Sequence, residues 1–275
     1  MPELPEVETI RRSLANVHGI KIQSLRLSRL APVETTTPAR VRKEMTGATV
    51  TAWGRWGKYL LMHTDREVHW VLHLGMSGQL RYFPSGAPSA PKHTHVEMAL
   101  SDGGLLRFVD PRRFGTISLS WGEEHRGNPF LARLGPDYLD ETFSDTDFLA
   151  RCRRHPKISL KAMALNQTIA TGLGNIYACE ALYRANLDPR RLLGRTTDAQ
   201  LKNFLTQARQ ALAEGIQNGG VSMRDYLDGL GHRGVMKEFL RVYDREGQAA
   251  LDGRGMVQRI VQNARSTFFV PEVQR

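Results

Sequence analysis

The sequence predicts a multidomain α+β protein, with a β-rich sandwich or barrel after a leading helix, then a helical region and a short β tail. Three observations lead to this fold class. The 275 residues exceed the usual size of one domain. Short apolar runs separated by glycine and proline turns fill residues 20–120. From residue 148 onward, apolar residues recur every three to four positions.

The N-terminal segment predicts a helix, and strands are predicted after it. Pro5 and Glu6 suit the first helical turn, where amide groups lack partners and negative charge is favoured. Val7, Ile10 and Leu14 then recur at helical spacing. The apolar runs that predict strands are residues 48–53, 59–63, 68–74, 95–100 and 105–109.

Helices are predicted for most of the C-terminal half. Residues 127–147 are rich in polar side chains and turn formers and predict a linker. Residues 148–219 predict helices, and short strands are predicted at residues 240–243 and within 257–270. The helical period is clearest at Leu201, Phe204, Leu205, Ala208 and Leu212.

Basic residues outnumber acidic ones. There are 38 Lys and Arg against 28 Asp and Glu, for a formal net charge of +10 and a pI near 9.9. Lys and Arg gain affinity for polyanions by releasing counterions from phosphates. The balance therefore favours nucleic acid as a partner, although basic proteins without such a partner also exist.

Composition excludes several classes of protein. An apolar fraction of 41% excludes a disordered chain, and no apolar run is long enough for a membrane span. The first residues, MPELPEVE, lack the apolar centre of a secretory signal. Two cysteines, Cys152 and Cys179, cannot form a disulfide framework or a four-thiolate zinc site. We therefore expect a reduced, cytoplasmic setting.

Pro2 and Glu3 form the first candidate catalytic pair. A small second residue normally permits removal of Met1, which would expose Pro2 as a secondary amine. The pKa of an N-terminal α-amine is near ~8, so part of it is an unprotonated nucleophile at neutral pH. Its iminium with a sugar aldehyde would be an electron sink, and Glu3 could move protons. The alternative, that both residues only lead into a helix, is favoured by these residues alone.

Two glycine-bounded turns combine basic and large apolar side chains. His73 and Met76 lie in one turn, and Arg112 and Phe114 lie in the other. Met76 could insert into a base stack, and the arginine and aromatic pair could enter a groove. Alternatively, Met76 and Phe114 belong to the core and Asp110 pairs with an arginine. Both interpretations stay open here.

Further basic candidates occur at Lys58 and around His93. Lys58 begins an apolar strand and is either a surface cation or a group near a phosphate or leaving group. His93 and His95 are predicted on one face of a strand. A third metal ligand is not evident beside them, so a polar face with His93 at a phosphate is favoured over a metal site.

A glycine-rich turn at residues 172–177 leads into a predicted helix. Backbone amides at such a helix start can bind a phosphate, and Asn175 can cap the helix and donate. Lys157 and Lys161 would raise the local positive potential. The alternative is an ordinary turn.

Taken together, these segments resemble the formamidopyrimidine-DNA glycosylase (Fpg) branch of the Fpg/Nei family of base-excision repair enzymes. They occur in the family's order and cover nearly the whole chain, so their joint occurrence is specific. The matching segments are PELPEVE at the start, KYLL at Lys58, HLGMSG at His73, KHTHVE at Lys92, DPRRFG at Asp110, GLGNIYACE at Gly172, GGVSMRDY at Gly219 and VYDREG at Val242.

The resemblance implies a domain plan. We expect an N-terminal catalytic β-sandwich at residues 1–130, a linker at 131–147, a helix–two-turn–helix domain at 148–240 and a β-hairpin finger at 241–275. DNA would lie in the cleft between the sandwich and the helical domain, and residues 223–235 would cover a base flipped out of the duplex.

The resemblance also implies a role for each matching residue. Pro2 would be the Schiff-base nucleophile, Glu3 the general acid and base, and Lys58 a group for β-elimination that also binds phosphate. Arg112, which faces the orphaned base, would fill the vacated space with Met76 and Phe114. Residues expected to hold the kinked DNA backbone are His73, His93, Lys157 and Asn175. Arg265, in the finger, is expected to be catalytic and to bind a phosphate at the lesion.

The chain departs from the family in its finger. Most bacterial members carry four zinc-binding cysteines there, and the corresponding positions are Ala250, Gly253, Val270 and Val273. The resemblance therefore implies a zinc-less finger, and neither a metal nor a cofactor is expected. The family also often has Asp where this chain has Asn166.

The implied function is a monomeric bifunctional glycosylase and AP lyase that excises oxidised purines, namely formamidopyrimidine and 8-oxoguanine, from double-stranded DNA. The compartment would be the cytoplasm, with the nucleoid if the source is bacterial. One alternative is a preference for oxidised pyrimidines or another lesion. The other is a lesion-binding protein without catalysis, against which Pro2, Glu3 and Lys58 argue.

Overall fold

The computed structural model describes residues 2–122, 127–222 and 226–275. The chain divides into two compact units. The first contains the residues up to Arg133 together with Gly219–Gly234, and the second contains Leu134–Asn218 and Val235–Arg275. The predicted plan assigned residues 219–234 to the helical domain, whereas here they belong to the first unit.

The first unit is a β-sandwich with a leading helix, as predicted. Helix α1 is Leu4–Ser13 and α2 is Pro38–Met45. Within the described residues, antiparallel strands form two sheets, with the orders β1-β6-β7-β5 and β2-β3-β4-β8. The strands are β1 Ile22–Leu27, β2 Val50–Trp56, β3 Tyr59–Thr64, β4 Val68–His73, β5 Gln79–Phe83, β6 Thr94–Leu100, β7 Leu105–Val109 and β8 Thr116–Trp121.

One apolar core joins the two sheets and α1. Val7 and Ile10 of α1 and its C-cap residue Leu14 are buried in it, which confirms the helical spacing predicted from the sequence. Leu72 of one sheet and Phe108 of the other belong to the same cluster. Burial of inward-facing side chains from two sheets is what holds a sandwich together. α1 is therefore fixed in place along its length.

The second unit consists of helices and a β-hairpin. Its helices in the described residues are α3 Asp145–Cys152, α4 Leu160–Leu165, α5 Asn175–Arg184 and α6 Asp198–Gln217. α6 begins with a capping box between Thr197 and Gln200, and its predicted apolar positions are buried. The hairpin pairs β9, Gln258–Gln262, with β10, Arg265–Phe269, as predicted.

The predicted strand at residues 240–243 is wrong. The amides of Arg241, Val242 and Tyr243 each donate to the carboxylate of Glu180, at 3.0 Å. Glu180 is fully buried on α5. Because the Glu180 carboxylate accepts the hydrogen bonds of these amides, the segment is held against α5 and does not pair with a strand.

The hairpin packs on α5 through an apolar cluster. Val257, Phe268 and Val270 are buried with Cys179 and Tyr183 of α5. Tyr183 also donates a hydrogen bond to Asp252. A two-stranded hairpin is marginal in water by itself, so these contacts supply its support.

In the described part of the chain, every helix is too short or too polar to cross a membrane.

Candidate functional site

Pro2 and Glu3 lie buried at the start of α1. Glu3 is the N-cap residue and is 2% exposed. A capping box joins it to Glu6: the Glu3 amide donates to Glu6 Oε2 at 2.7 Å, and the Glu3 carboxylate accepts from the Glu6 amide. The position of Glu3 is therefore fixed by the helix that it begins, beside the candidate nucleophile.

Glu6 also binds the returning segment Gly219–Gly234. The Val221 amide donates to Glu6 Oε1 at 2.7 Å, and the Tyr226 hydroxyl donates to the Glu6 carbonyl at 3.1 Å. Burial, together with the Glu6 charge, raises the pKa of Tyr226. Gly220 has φ +79, and a Cβ there would lie 2.9 Å from Glu6. The predicted cover, residues 223–235, lies partly outside the described residues, at 223–225.

Lys58 occupies the hairpin turn between β2 and β3 and is only 8% exposed. Gly57 precedes it with φ +58. Arg55, at the end of β2, donates to the Gly57 carbonyl at 3.1 Å and to Glu8 of α1 at 3.2 Å. A two-residue turn would normally expose its lysine, so this burial is a feature of the site.

His73 lies close to the Lys58 turn, at the end of β4. Tyr59 and His73 are paired across β3 and β4, with ring centroids 4.8 Å apart. Burial, followed by the positive charge of Lys58, lowers the pKa of His73 to about 4. His73 Nδ1 accepts from the Gly75 amide at 3.2 Å, which leaves Nε2 to carry the proton. His73 is thus a neutral hydrogen-bond donor at neutral pH.

The two basic and apolar turns are bound to each other through Asp110. This fully buried carboxylate accepts from the Ser77 hydroxyl at 2.6 Å and from the Gly115 amide at 2.7 Å. The Arg112 amide donates in turn to Ser77 Oγ at 3.1 Å. A Cβ on Gly75 would come within 2.4 Å of the Gly115 amide, so the backbones touch. The two turns therefore form one rigid structure.

That structure presents large apolar side chains to solvent. Met76 is 41% exposed and Phe114 is 55% exposed, so neither belongs to the core. The Arg112 guanidinium lies 5.1 Å from the centre of the Phe114 ring. The structure thus brings Met76, Arg112 and Phe114 together on adjoining turns.

The expectation that His93 and His95 share one strand face is wrong. His93 precedes β6 with φ +68 and is exposed, whereas His95 is buried inside the strand. His95 lies 3.1 Å from the Asp110 carbonyl and 3.1 Å from Ser28 Oγ, so it supports the sheet. Across the described residues, no group of three or more His, Cys, Asp or Glu side chains is arranged to hold a metal ion.

In the second unit, Asn175 is the first residue of α5, after the N-cap Gly174. Its Nδ2 donates to the Ser266 carbonyl of the hairpin at 2.9 Å. Lys157 is exposed between α3 and α4. Lys161, in contrast, is fully buried and donates to the Asn175 carbonyl at 3.3 Å. Asn175 therefore joins the helix start to the hairpin, and Lys161 supports it from inside.

Arg265 begins β10 and is exposed. It follows a turn in which Asn263 and Ala264 have φ of +50 and +57, the signature of a type I′ hairpin. This turn fixes the register of the hairpin and so places Arg265 at its tip.

Zinc does not fit the four positions that correspond to family ligands. Ala250 and Val270 are buried, and none of the four side chains has a donor atom for a metal. Hydrogen bonds from Gly253 to Ala250, 2.8 Å, and from Val273 to Val270, 3.1 Å, close the turns instead. Apolar packing with Cys179 and Tyr183 and these backbone hydrogen bonds hold this part of the chain.

Sequence reasoning missed the residues that hold the candidates in place. Glu6 had a usable signal, because Glu3 and Glu6 have the spacing of a capping box. Arg55 and Glu180 had none, since their partners are set by the fold. The Asp110 carboxylate binds Ser77 and Gly115, whereas the sequence suggested an arginine as its partner.

Comparisons with known proteins agree with this architecture. The model of the formamidopyrimidine-DNA glycosylase N-terminal domain matches residues 1–117, and that of the formamidopyrimidine-DNA glycosylase H2TH domain matches residues 134–226. Proteins named formamidopyrimidine-DNA glycosylase are 40% identical over 276 residues in Thioalkalivibrio sulfidiphilus and 42% identical over 277 residues in Novosphingobium aromaticivorans, each covering 100% of both chains.

Solved structures are similar over the same length. The Lactococcus lactis Fpg in complex with DNA containing an abasic site has a TM-score of 0.90 and 32% identity, and the match covers 100% of both chains. A variant of that protein bound to DNA containing Fapy-dG gives the same values. The chain described here belongs to the formamidopyrimidine-DNA glycosylase family.

Proposed function

We propose that the protein is a bifunctional DNA glycosylase and AP lyase that excises oxidised purines from duplex DNA in base-excision repair. The observation that carries this proposal is the buried Pro2–Glu3 pair, which the N-terminal turn of α1 holds in place. Family membership supports the same reading, since relatives carry the glycosylase name and one was solved with Fapy-dG DNA.

The chemistry starts from the amine of Pro2 after Met1 is removed. Its lone pair attacks C1′ of the damaged nucleoside, and the bond from C1′ to the base breaks. The base leaves with the electron pair of that bond and takes the proton that Pro2 gives up, which Glu3 passes on. The ring oxygen then leaves C1′ with its bonding electrons and takes up a proton from solution, which leaves an iminium cation between Pro2 and the opened sugar.

Elimination follows from the iminium. Glu3, as the general base, takes a proton from C2′, the electron pair of that C–H bond forms the C2′–C3′ double bond, and the 3′-phosphate departs with the electron pair of its C–O bond. Lys58 supplies positive charge at the phosphate, and His73 beside it offers a neutral N–H donor. Hydrolysis of the iminium then frees Pro2.

Base flipping explains the exposed turns. A duplex that loses a stacked base needs a replacement for the lost contacts, and Met76 and Phe114 are suited to that by size and exposure. Arg112 would face the orphaned base. His93, Lys157 and Asn175 would bind the backbone, together with Arg265.

Borohydride trapping tests the proposal. With abasic-site duplex, the reductant should link the protein covalently to DNA, and peptide mapping should place the link at Pro2. Intact-mass data that show Met1 retained in active protein would exclude this mechanism. A protein that binds the lesion but is never trapped would be the lesion-binding alternative, and a panel of defined lesions would reveal a preference for pyrimidines.

A further inference from the structure

The Arg55 guanidinium joins the turn that carries Lys58 to α1. Arg55 donates from Nη1 to the Gly57 carbonyl at 3.1 Å and from Nε to Glu8 Oε2 at 3.2 Å. Its side chain is 11% exposed, so these bonds lie largely out of water. A guanidinium is planar and rigid, so binding to Glu8 on one edge fixes the direction of the other donors.

Glu8 is itself firmly held. Arg11 and Arg12 donate to Glu8 Oε1 at 2.7 and 2.8 Å. Burial alone would raise the pKa of Glu8, but the hydrogen bonds from Arg11 and Arg12 and the charge of Arg55 lower it to about 2. The carboxylate is therefore charged at any pH suited to DNA, and it lies on the helix that begins with Glu3.

The Gly57 carbonyl belongs to the central peptide of the turn. Gly57 has φ +58, and Lys58 is not among the described residues with positive φ, which is the pattern of a type II′ turn. Rotation of the central peptide would convert this turn to type I′, in which Lys58 would also need positive φ. The bond from Arg55 opposes that rotation, because it holds the carbonyl oxygen that would have to move.

We propose that Arg55 is a positioning residue for Lys58: it locks the Gly57–Lys58 peptide and so holds Lys58 at a fixed distance from Pro2 and Glu3. The link runs from Glu8 on α1 through Arg55 to the Gly57 carbonyl. This inference rests on the proposed lyase function. Arg55 acts through the turn and takes no part in the bond changes.

The test is Arg55→Lys, which keeps the charge but cannot bind Glu8 and the Gly57 carbonyl with one rigid fork. On abasic-site duplex, the single-turnover rate of strand cleavage should fall about ten- to a hundredfold, since small misplacements of a reacting group cost that much. The affinity for duplex with a non-cleavable abasic analogue should stay within about twofold, because the charge is kept. The final yield of borohydride trapping should also be unchanged.

Arg12→Lys is the matched control, because Arg12 binds the same carboxylate and, in the part of the chain that the structure describes, makes no hydrogen bond to the turn. It should cleave like the unmodified protein. Glu8→Asp provides a second variant, in which the charge is kept and the support for Arg55 is shortened. It should reproduce the loss of cleavage rate without loss of affinity, and it decides the matter if Arg55→Lys does not fold.

The lyase function and the positioning role of Arg55 are refuted by different results. If the unmodified protein is not trapped by borohydride, the lyase function itself is wrong. If it is trapped, and both Arg55→Lys and Glu8→Asp cleave as fast as Arg12→Lys, the positioning role of Arg55 is wrong. A loss confined to affinity would also overturn it, because that is the behaviour of a phosphate contact.

Discussion

Replacing Asp110 with asparagine should loosen the turns that carry Met76 and Phe114. The buried carboxylate accepts from the Ser77 hydroxyl at 2.6 Å and from the Gly115 amide at 2.7 Å. Asparagine keeps one acceptor oxygen and replaces the other by an amide group. One bond is thus retained in neutral form, and the other survives only if the Ser77 hydroxyl turns to accept.

The expected loss follows from these two bonds. Hydrogen bonds to charged groups contribute about 1.5–3 kcal/mol and neutral ones about 0.5–1.5 kcal/mol. Weakening both should therefore cost about 2 kcal/mol, which corresponds to a Tm lowered by about 4–8 °C for a domain of this size. If most of that loss appears when the base is flipped, excision from an intact lesion duplex should slow about tenfold.

The assay is single-turnover excision from a lesion duplex, compared with cleavage of a pre-formed abasic site, where less unstacking is needed. Asp102→Asn is the control: Asp102 also accepts one hydroxyl and one backbone amide, from Tyr82 and Gly104, both at 2.8 Å, but in another turn. Asp102→Asn should leave excision unchanged. Equal excision by the two variants, or equal losses on both substrates, would refute the reasoning.

Five further outcomes are expected. Met76→Ala and Phe114→Ala should each slow excision from intact duplex more than cleavage of abasic DNA; equal effects would point to a packing role. Glu3→Gln should abolish excision while duplex affinity changes less than about twofold, as measured by anisotropy. The pKa of His73 is about 4 against an ordinary 6.5, so the unfolded state takes up the proton first. Stability should therefore fall by up to about 3 kcal/mol from pH 6.5 to 4, and thermal melts of His73→Gln should lack this part of the slope. Activity should survive EDTA, and elemental analysis that finds one zinc per chain would contradict this. Arg265→Ala should make the log–log salt dependence of DNA binding shallower by about one unit, and an unchanged slope would contradict that role.

Of the eight strands described in the sandwich, five were predicted from their apolar runs, and β1, β5 and β8 were not. Residues 105–109 were predicted and form β7, Leu105–Val109. β5, Gln79–Phe83, was missed because Gln79 and Arg81 interrupt its apolar residues, and the pairing with β7 that accompanies its burial is set by the fold. α2 was missed because Val41 and Met45 are its buried residues, too few to show a helical period.

Candidate residues could be found from the sequence, but their supports could not. The motifs pointed to Lys58 and Phe114, yet their exposure depends on turns that only the fold defines. Asp110 and Ser77 are 33 positions apart, and their bond depends on two turns meeting. The segment at residues 240–243 looked like a strand because no local pattern reveals a buried carboxylate on a distant helix.

The return of residues 219–234 to the first unit has a consequence for synthesis. The partners Glu6 and Val221 are 215 positions apart. At about 5–20 residues per second, roughly 10–40 s of translation separate them. Gly229, which binds Ser13 and Tyr82, also emerges only after the helices α3 to α6. During synthesis, the last contacts of the sandwich can therefore form only after most of the second unit has been translated. A fragment that ends at Arg133 would keep the strands of both sheets but would lack the residues that bind Glu6.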